Sequence, residues 1–335
     1  MHTIGITFNL KKSHSRDDRY EEYDEIATVE ALKNELEHLG FKVLLFEQND
    51  NFFKNILKNK PDFVFNIAEG LKSGRSRESQ VPCILESLNI PYSGSDPLAL
   101  GVTLDKYLTN LILSSAKIPV PYMAMVDNNS AINKLSNIFA SGKIFIIKPR
   151  WEGSSKGIFL NSVVNNFRDL KKQIKFILYR YRQPAVVEEF LDGEEITVGV
   201  YGNAYPRVLG MMKIDFRENS KIPFLYSLEV KRKWQEKVAY HGEESISGRV
   251  KKRIKDYALR AFRTLELRDI ARIDFRVSKS NIPKIIDVNP LPGLSPHYSD
   301  LPILCRLKGK TYSDLVKIIL KESFKRYGFK WKIRN

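Results

Sequence analysis

The sequence predicts a three-domain protein of α/β and α+β layers, and three observations carry that expectation. Strand and helix signals alternate through the first third, a glycine- and serine-rich loop lies between two apolar segments, and two strand-like segments with alternating polar residues lie near residues 271–289. A chain of 335 residues is long enough for two or three domains, and 43% hydrophobic residues in periodic segments mark it as globular rather than disordered.

Taken in order, Thr3 to Phe8 reads as a strand, and Ile26, Val29, Leu32, Leu36 and Leu39 form one helical stripe that Gly40 ends. Lys42 to Phe46 and Asp62 to Ile67 read as further strands, a βαβ rhythm that implies a parallel sheet covered by helices. Turn residues cluster from Pro91 to Asp96, the expected first boundary, and a helix from about Thr103 to Ser115 follows. Strands at Ile144 to Lys148 and Gly157 to Leu160 flank the Gly-Ser loop, and Asn166 to Arg180 has helical periodicity, so residues 97–185 form a small α+β domain. Residues 186–335 hold strands, a charged loop at about Asp215 to Gly242, a helix near Arg249 to Leu265 and the two polar strands. Residues 1–96 form the N-terminal α/β domain.

Composition excludes several classes of function. No apolar run approaches a membrane span, and the segment from Met1 to Asp18 is charged beyond its short strand rather than built like a signal peptide. Cys83 and Cys305 are far apart and fit reduced thiols of a cytoplasmic protein, while His2, His14, His38, His241 and His297 lack metal-ligand spacing. The net charge of +16 invites nucleic acid as a partner, but the basic residues are dispersed, and the densest run, Lys321 to Arg334, reads as a solvated, partly frayed tail. The expected partners are therefore small-molecule or peptide substrates, with neither nucleic acid nor membrane, and a homodimer is allowed.

The chemistry concentrates in Ala271-Arg272-Ile273-Asp274-Phe275-Arg276-Val277 and Ile285-Ile286-Asp287-Val288-Asn289-Pro290-Leu291-Pro292-Gly293-Leu294. Residues two apart on a strand share a face, so Asp287 projects with Asn289 and Arg272 with Asp274. Three oxygen donors beside a fixed cation suit Mg2+, with Arg272 free to hold a developing anion. Glu152-Gly153-Ser154-Ser155-Lys156-Gly157 lets backbone N–H groups approach an anion, although the Walker pattern is absent. Lys148 ends an apolar strand and can aim its ammonium at a phosphate.

These motifs, with Ile90-Pro91-Tyr92-Ser93-Gly94-Ser95, Leu104-Asp105-Lys106, Ile147-Lys148-Pro149 and Glu188-Glu189-Phe190-Leu191 through Glu195, occur in the order found in the ATP-grasp ligases. Within that superfamily the chain resembles the D-alanine–D-alanine ligase group from about residue 61 to 300. The resemblance implies an ATP-grasp architecture: an N-terminal parallel-sheet domain, a small central α+β domain with the mobile glycine-rich loop, and a C-terminal ATP-binding α+β domain. It implies ATP and Mg2+, with Mn2+ as a substitute. Lys106 and Lys148 would contact ATP phosphates together with the loop residues Glu152, Gly153, Ser154, Ser155 and Gly157. Glu188 would receive the adenine amino group, Phe190 and Leu191 would flank the base, and Glu195 would hold the ribose hydroxyls. Asp274, Asp287 and Asn289 would hold the metal, with Asp287 standing where a glutamate is commoner. Arg272, Ser154 and Lys231 would be catalytic, Lys231 on a loop that closes the site.

The departures from that group concern substrate. Where it carries an N-terminal glutamate, this chain reads Arg19-Tyr20-Glu21-Glu22-Tyr23-Asp24-Glu25, and its histidine after the third strand is replaced by Asn66-Ile67-Ala68-Glu69-Gly70. Its closing-loop tyrosine has no clear counterpart, Tyr226 and Trp234 being the nearest aromatics. Glu69 can hold an ammonium and the Lys72, Arg75, Arg77 loop a carboxylate, with Gly293 and His297 as further contacts. The expectation is an ATP- and Mg-dependent carboxylate–amine ligase that forms a peptide-type amide through an acyl-phosphate, acting on an amino acid or peptide other than plain D-alanine. The alternatives are an authentic D-alanine–D-alanine ligase of cell-wall precursor synthesis and an ATP-binding scaffold that has lost catalysis. Retention of Asp274, Asp287, Asn289, Lys148 and Arg272 opposes the scaffold.

Overall fold

Three sheets in series organise the molecule, a computed structural model that describes residues 2–11, 18–217, 225–278 and 281–332. The expectations at His14, at residues 218–224 of the charged loop and at 333–334 of the terminal basic run fall outside these residues. The first sheet is parallel, as the βαβ rhythm requires: β1 (Thr3–Phe8), α1 (Ile26–His38), β2 (Lys42–Glu47), α2 (Phe52–Asn59), β3 (Phe63–Asn66) and α3 (Gln80–Ser87), in the strand order β2-β1-β3. Val29, Leu32, Leu36 and Leu39 are buried as the stripe predicts, whereas Ile26 begins the helix half exposed.

The expected helix from Thr103 to Ser115 is two helices, α4 (Pro97–Leu104) and α5 (Lys106–Ser115). Asp105 breaks them with extended backbone and caps α5 by accepting from Leu108 N–H at 3.1 Å. A four-stranded sheet follows in the order β4-β7-β5-β6: β4 (Met123–Val126), β5 (Phe145–Pro149), β6 (Val163–Val164) and β7 (Ala185–Glu189), with α6 (Phe167–Arg180) packed on it. The strand expected at Gly157 to Leu160 is absent; that stretch is a turn leading into a 3-10 helix at Leu160–Ser162. Its glycine has φ +75°, and an added Cβ would lie 2.4 Å from the Pro149 ring, so the loop folds too tightly to extend there.

The third sheet is antiparallel, in the order β10-β9-β8-β11-β12. It contains β8 (Gly193–Gly202), β9 (Arg207–Phe216), then α7 (Leu228–Arg232) and α8 (Trp234–Lys237) within the expected charged loop, β10 (Val238–His241), α9 (Gly248–Thr264), β11 (Asp269–Ser278) and β12 (Pro283–Asn289). The α9 side chains Val250, Ile254, Ala258 and Phe262 pack with Ile273, Phe275 and Val288 on one face of this sheet; on the other, Leu209, Met212 and Ile214 of β9 pack with Leu301 and Leu304, and the polar residues occupy the β11–β12 end.

The C-terminal run corrects the frayed-tail expectation. After α10 (Asp300–Leu307), α11 (Tyr312–Arg326) buries Leu315, Val316, Ile319, Leu320 and Phe324 in one core with Ile4, Ile6 and Phe63 of the first sheet. Phe329 and Trp331 stack at 4.6 Å between centroids, and Trp331 stacks on His2 at 4.0 Å. Apolar residues at 324, 329 and 331 hold the run down, while its charges are the exposed complement or are paired. Arg326 meets the fully buried Asp269 at 2.8 Å, and that carboxylate also accepts from Gly94 N–H at 2.9 Å and Ser323 Oγ at 2.7 Å. One buried carboxylate thus ties the first domain, α11 and the head of β11 together.

Candidate active site

β11 and β12 pair so that Asp274 stands opposite Asp287 and Arg272 opposite Asn289. The register shifts after Asp274, leaving Ile286 without a partner, so Asp287 returns to the face of Asp274 while Ile273 and Phe275 stay in the core. Thr197 on β8 donates to Asp274 at 2.8 Å, and Lys106 at the start of α5 pairs with Asp287 at 3.0 Å. Burial raises the Asp274 carboxyl above its ordinary value against the pull of Arg272. At Asp287 burial also acts upward, but Lys106, Arg272 and Lys148 outweigh it and hold that carboxyl low. Asn289 is fixed by its own turn, its Oδ1 accepting from Leu291 N–H at 3.0 Å.

This donor set tests the expected metal. Among the described residues no three His, Cys, Asp or Glu side chains are grouped so as to hold a metal by themselves. Two facing carboxylates and an amide oxygen make an all-oxygen set, which suits Mg2+ and completes its shell with phosphate and water rather than protein. The residues fit the ion.

Arg272 is wedged between carboxylates: its Nη2 lies 2.9 Å from Asp274 and its Nη1 3.3 Å from Asp300. Asp300, the first residue of α10, is buried and also lies 3.4 Å from the Tyr226 hydroxyl. Sequence reasoning missed it. Its signal was modest, an acid at a helix start eleven residues beyond Asn289.

Facing this strand pair, Lys148 at the end of β5 reaches Glu188 on β7 at 2.8 Å, both buried. The second oxygen of Glu188 is buried without a hydrogen-bond partner, an acceptor that a guest amino group would satisfy. Glu195 pairs with Arg276 at 2.9 Å, and Arg276 also donates to the Leu191 carbonyl at 3.0 Å and lies 4.9 Å from the Phe190 ring. Arg276 is a second residue not foreseen, although its place two residues beyond Asp274 puts it on the same strand face.

The Gly-Ser loop closes over this cleft. Ser154 and Ser155 are both left-handed, at φ 49° and 59°. Gly153 N–H donates to Glu22 at 2.5 Å and Ser155 Oγ to the Tyr226 carbonyl at 2.7 Å. The cleft that remains measures about 90 Å³ and is lined by Lys106, Lys148, Glu188, Leu191, Asp274 and Asp287 among others. Ordinary ligand sites occupy roughly 300–1,000 Å³, so the loop contacts must open to admit a nucleotide.

A second cavity of about 250 Å³ adjoins the first and shares Ser154, Lys231, Arg272 and Asp300 with it. Glu69, Asn289 and Gly293 line it, together with Glu21, Glu22 and Asp24, which the sequence offered only as a group. Burial, then Glu78 and Glu22, push the Glu69 carboxyl well up, and burial with Glu25 raises Asp24 to about 7. Lys231 is shifted down by burial and by Arg272, against the upward pull of Asp300.

Two expected substrate contacts stand elsewhere. Arg75 turns to Asp105 at 2.9 Å, because that fully buried cap carboxylate needs counter-charge, which it also draws from Arg150 at 2.7 Å. His297 is exposed and borders neither cavity, and Tyr298 and Ser299 face the second cavity instead. Arg77 is buried against Glu22 at 2.5 Å, with Glu152 3.6 Å away.

Residues 112–321 match the family model described as the D-ala D-ala ligase C-terminus. An uncharacterized protein of Sinorhizobium fredii is 30% identical over 87% of this chain and 86% of its own length, and the D-alanine–D-alanine ligase of Aquifex aeolicus is 30% identical over 88% and 94%. Among solved structures, D-alanyl-alanine synthetase A from Vibrio cholerae superposes with a TM-score of 0.76 at 20% identity, covering 96% of this chain and 98% of that one. The D-alanine–D-alanine ligase of Bacillus anthracis complexed with ATP gives 0.73 at 21%, covering 98% and 99%. The VanG D-Ala:D-Ser ligase of Enterococcus faecalis gives 0.72 at 19%, covering 96% and 99%. Three sheets in this order, with a loop closed over a carboxylate-bearing strand pair, define an ATP-grasp fold. The chain belongs to the D-alanine–D-alanine ligase family, whose members are ATP-dependent carbon–nitrogen ligases. Both cysteines are free, and among the described residues no helix is long and apolar enough to cross a membrane.

Proposed function

We propose that this protein is a cytoplasmic, ATP- and Mg-dependent ligase that joins a carboxylate to an amine through an acyl-phosphate, with an amino acid or peptide other than plain D-alanine as substrate. The observation that carries the reading is the pair of cavities meeting at Arg272, one bounded by Lys148, Lys106 and the loop, the other by carboxylates. Lys106, Lys148 and the Gly-Ser loop would hold the triphosphate, with Glu188 accepting from the adenine amino group. Asp274, Asp287 and Asn289 would hold Mg2+, which when bound would spread the phosphate charge.

The chain's own groups then do the positioning. The substrate carboxylate attacks the γ-phosphorus from the second cavity, ADP leaves, and Arg272 neutralises the acyl-phosphate. The amine enters as an ammonium whose charge draws Glu69 and Asp24 to their ionised forms, passes its proton to one of these two carboxylates, whose proton affinity burial raises, and attacks the acyl carbon as the free amine. The tetrahedral oxyanion forms beside Arg272, and its collapse releases phosphate and the amide. Lys231, with its lowered proton affinity, sits between the cavities, where it meets both phosphate and substrate.

A second reading, D-alanyl-D-alanine synthesis itself, is favoured by the name of the Aquifex relative. The neighbour titled as a D-Ala:D-Ser ligase indicates that the fold also carries other second substrates. Screening amino acids and short peptides for ADP release decides between them. Best turnover with D-alanine alone would return the protein to the second reading.

A further inference from the structure

The largest of the cavities near the site is a third one, of about 550 Å³, at the C-terminal ends of β1 and β2. Asn9, Gln48, Lys72 and Tyr20 line it from the first domain, and Lys156 and Arg182 from the second. Ligands of parallel α/β sheets bind at such strand ends. Glu22 and Tyr23 border this cavity and the 250 Å³ cavity alike, so the two adjoin at these residues. Of the expected substrate contacts, Lys72 and Arg77 line it, whereas Glu69, Arg75, Gly293 and His297 do not.

Two independent features show what it would hold. Gln80 Oε1 accepts from Leu71 N–H at 2.8 Å while its Nε2 donates to the Leu71 carbonyl at 3.1 Å, which fixes the orientation of that amide. Gln48 must therefore donate through Nε2 to Gln80 Oε1, at 2.9 Å. This leaves Gln48 Oε1 as a covered acceptor on a residue only 4% exposed, with no hydrogen-bond partner among the described residues. An unmet buried carbonyl calls for an N–H donor. At the rim, Lys72 and Arg182 are exposed, carry left-handed backbone at φ 64° and 52°, and make no ion pair among the described residues. A peptide guest supplies N–H groups for the first feature and a terminal carboxylate for the second.

We propose that this cavity is the subsite for the far end of the amine substrate, and that this substrate is a short peptide with a free C-terminal carboxylate. Its ammonium lies among Glu69, Asp24 and Glu22 beside Arg272, its backbone passes Glu22, and its carboxylate meets Lys72 and Arg182. The inference rests on the ligase reading and deepens it.

The test separates the two. Di- and tripeptides of D- and L-residues, each as free acid and as C-terminal amide, are titrated calorimetrically into the full chain holding a non-hydrolysable ATP analogue, and ADP release with ATP is measured in parallel. Free acids should bind more tightly than D-alanine and more tightly than their amides. The double variant Lys72→Ala/Arg182→Ala should weaken the free acids by about tenfold or more, leaving the amides and ATP unchanged. The control Lys251→Ala/Lys252→Ala, on α9, should change neither. If no peptide exceeds D-alanine, or the double variant binds free acids as the wild type does, the subsite is overturned, while ADP release driven best by another amino acid would keep the ligase reading. Peptide binding that the double variant loses, without ADP release, would sustain the subsite and overturn the ligase reading.

Discussion

Replacing Arg272 by lysine isolates what the guanidinium does beyond carrying a charge. The side chain grips Asp274 through Nε at 3.1 Å and Nη2 at 2.9 Å while Nη1 reaches Asp300 at 3.3 Å. A lysine ammonium keeps the charge but cannot span both carboxylates, so the donor loses its fixed direction toward the acyl-phosphate. Removing one fixed donor from a developing oxyanion costs about 2.7–4 kcal/mol, so Arg272→Lys should lower kcat by roughly 10²–10³-fold. The KM for ATP should move by less than about threefold, because on the proposed reading Lys106 and Lys148 would hold the phosphates. Arg272→Ala is a poorer probe: it strands two buried carboxylates and should cost roughly 3–5 kcal/mol of stability. The assay is ADP release at saturating substrates, with a thermal melt to show that the lysine variant is folded. A folded Arg272→Lys protein with wild-type kcat would refute the reasoning.

Asp287→Ala and Asn289→Ala should each abolish Mg-dependent ADP formation while circular dichroism remains that of the wild type, and turnover at the wild-type rate in either would remove them from the metal site. Lys148→Ala should weaken ATP more than the amine substrate in isothermal titration, and unchanged ATP affinity would overturn its assignment. Asp269→Ala should cost about 3–5 kcal/mol in urea unfolding, since it leaves the largely covered Arg326 guanidinium, Gly94 N–H and the buried Ser323 hydroxyl without their shared acceptor, and a loss below about 1 kcal/mol would show the hub to be dispensable. Asp24, raised to about 7, and Glu78, raised to about 8, take up protons on folding. Their stabilising effect is therefore present below the ordinary carboxyl range and is lost as pH rises through those values. The lowered carboxyls Glu21, Glu22 and Asp105 act in the opposite sense, but only as pH falls through the ordinary carboxyl range. Urea midpoints should thus decline from about pH 5 to about pH 9, and Asp24→Asn should flatten that decline; an unchanged slope would contradict the shift.

The sequence was most legible where one local pattern serves both fold and chemistry. Alternation along Arg272, Asp274 and Arg276 places the core on one face and charge on the other, and strand pairing then puts Asp287 opposite Asp274. It was least legible where a residue's partner is set by a distant buried group. Nothing near Arg75 indicates that Asp105, thirty residues away and with no exposed surface, will capture it. The terminal run was misread for a related reason: charges dominate Lys321 to Arg334, but the sparse Phe324, Phe329 and Trp331 meet Phe63 and His2 at the far end of the chain. Asp300 was overlooked because its role comes from α10 beginning beneath Arg272, a tertiary placement that no spacing rule carries.

The same placement explains why closure and chemistry are coupled. Glu22 accepts from Gly153 N–H and Arg77, each at 2.5 Å, with Lys156 3.7 Å away, while Glu152 holds Lys156 at 2.7 Å. These groups come from the first domain and from the Gly-Ser loop, and in the closed arrangement they neutralise one another out of water. Were the loop to lift, Glu22 would lose both the loop amide and Lys156, and its carboxylate would face the two cavities proposed for substrate with Arg77 as its remaining partner. An ammonium arriving there would replace the cation the loop withdrew. In this arrangement the Ser155 bond to the Tyr226 carbonyl and the Arg232 pair with Glu21 at 3.0 Å also tie the segment that leads into α7 to the Gly-Ser loop and to the first sheet's side of the site. On the proposed reading, filling the amine cavity and sealing the nucleotide cleft would therefore draw on the same few charges, so Glu22, which is not among the proposed metal ligands, would govern whether the reacting groups are enclosed together.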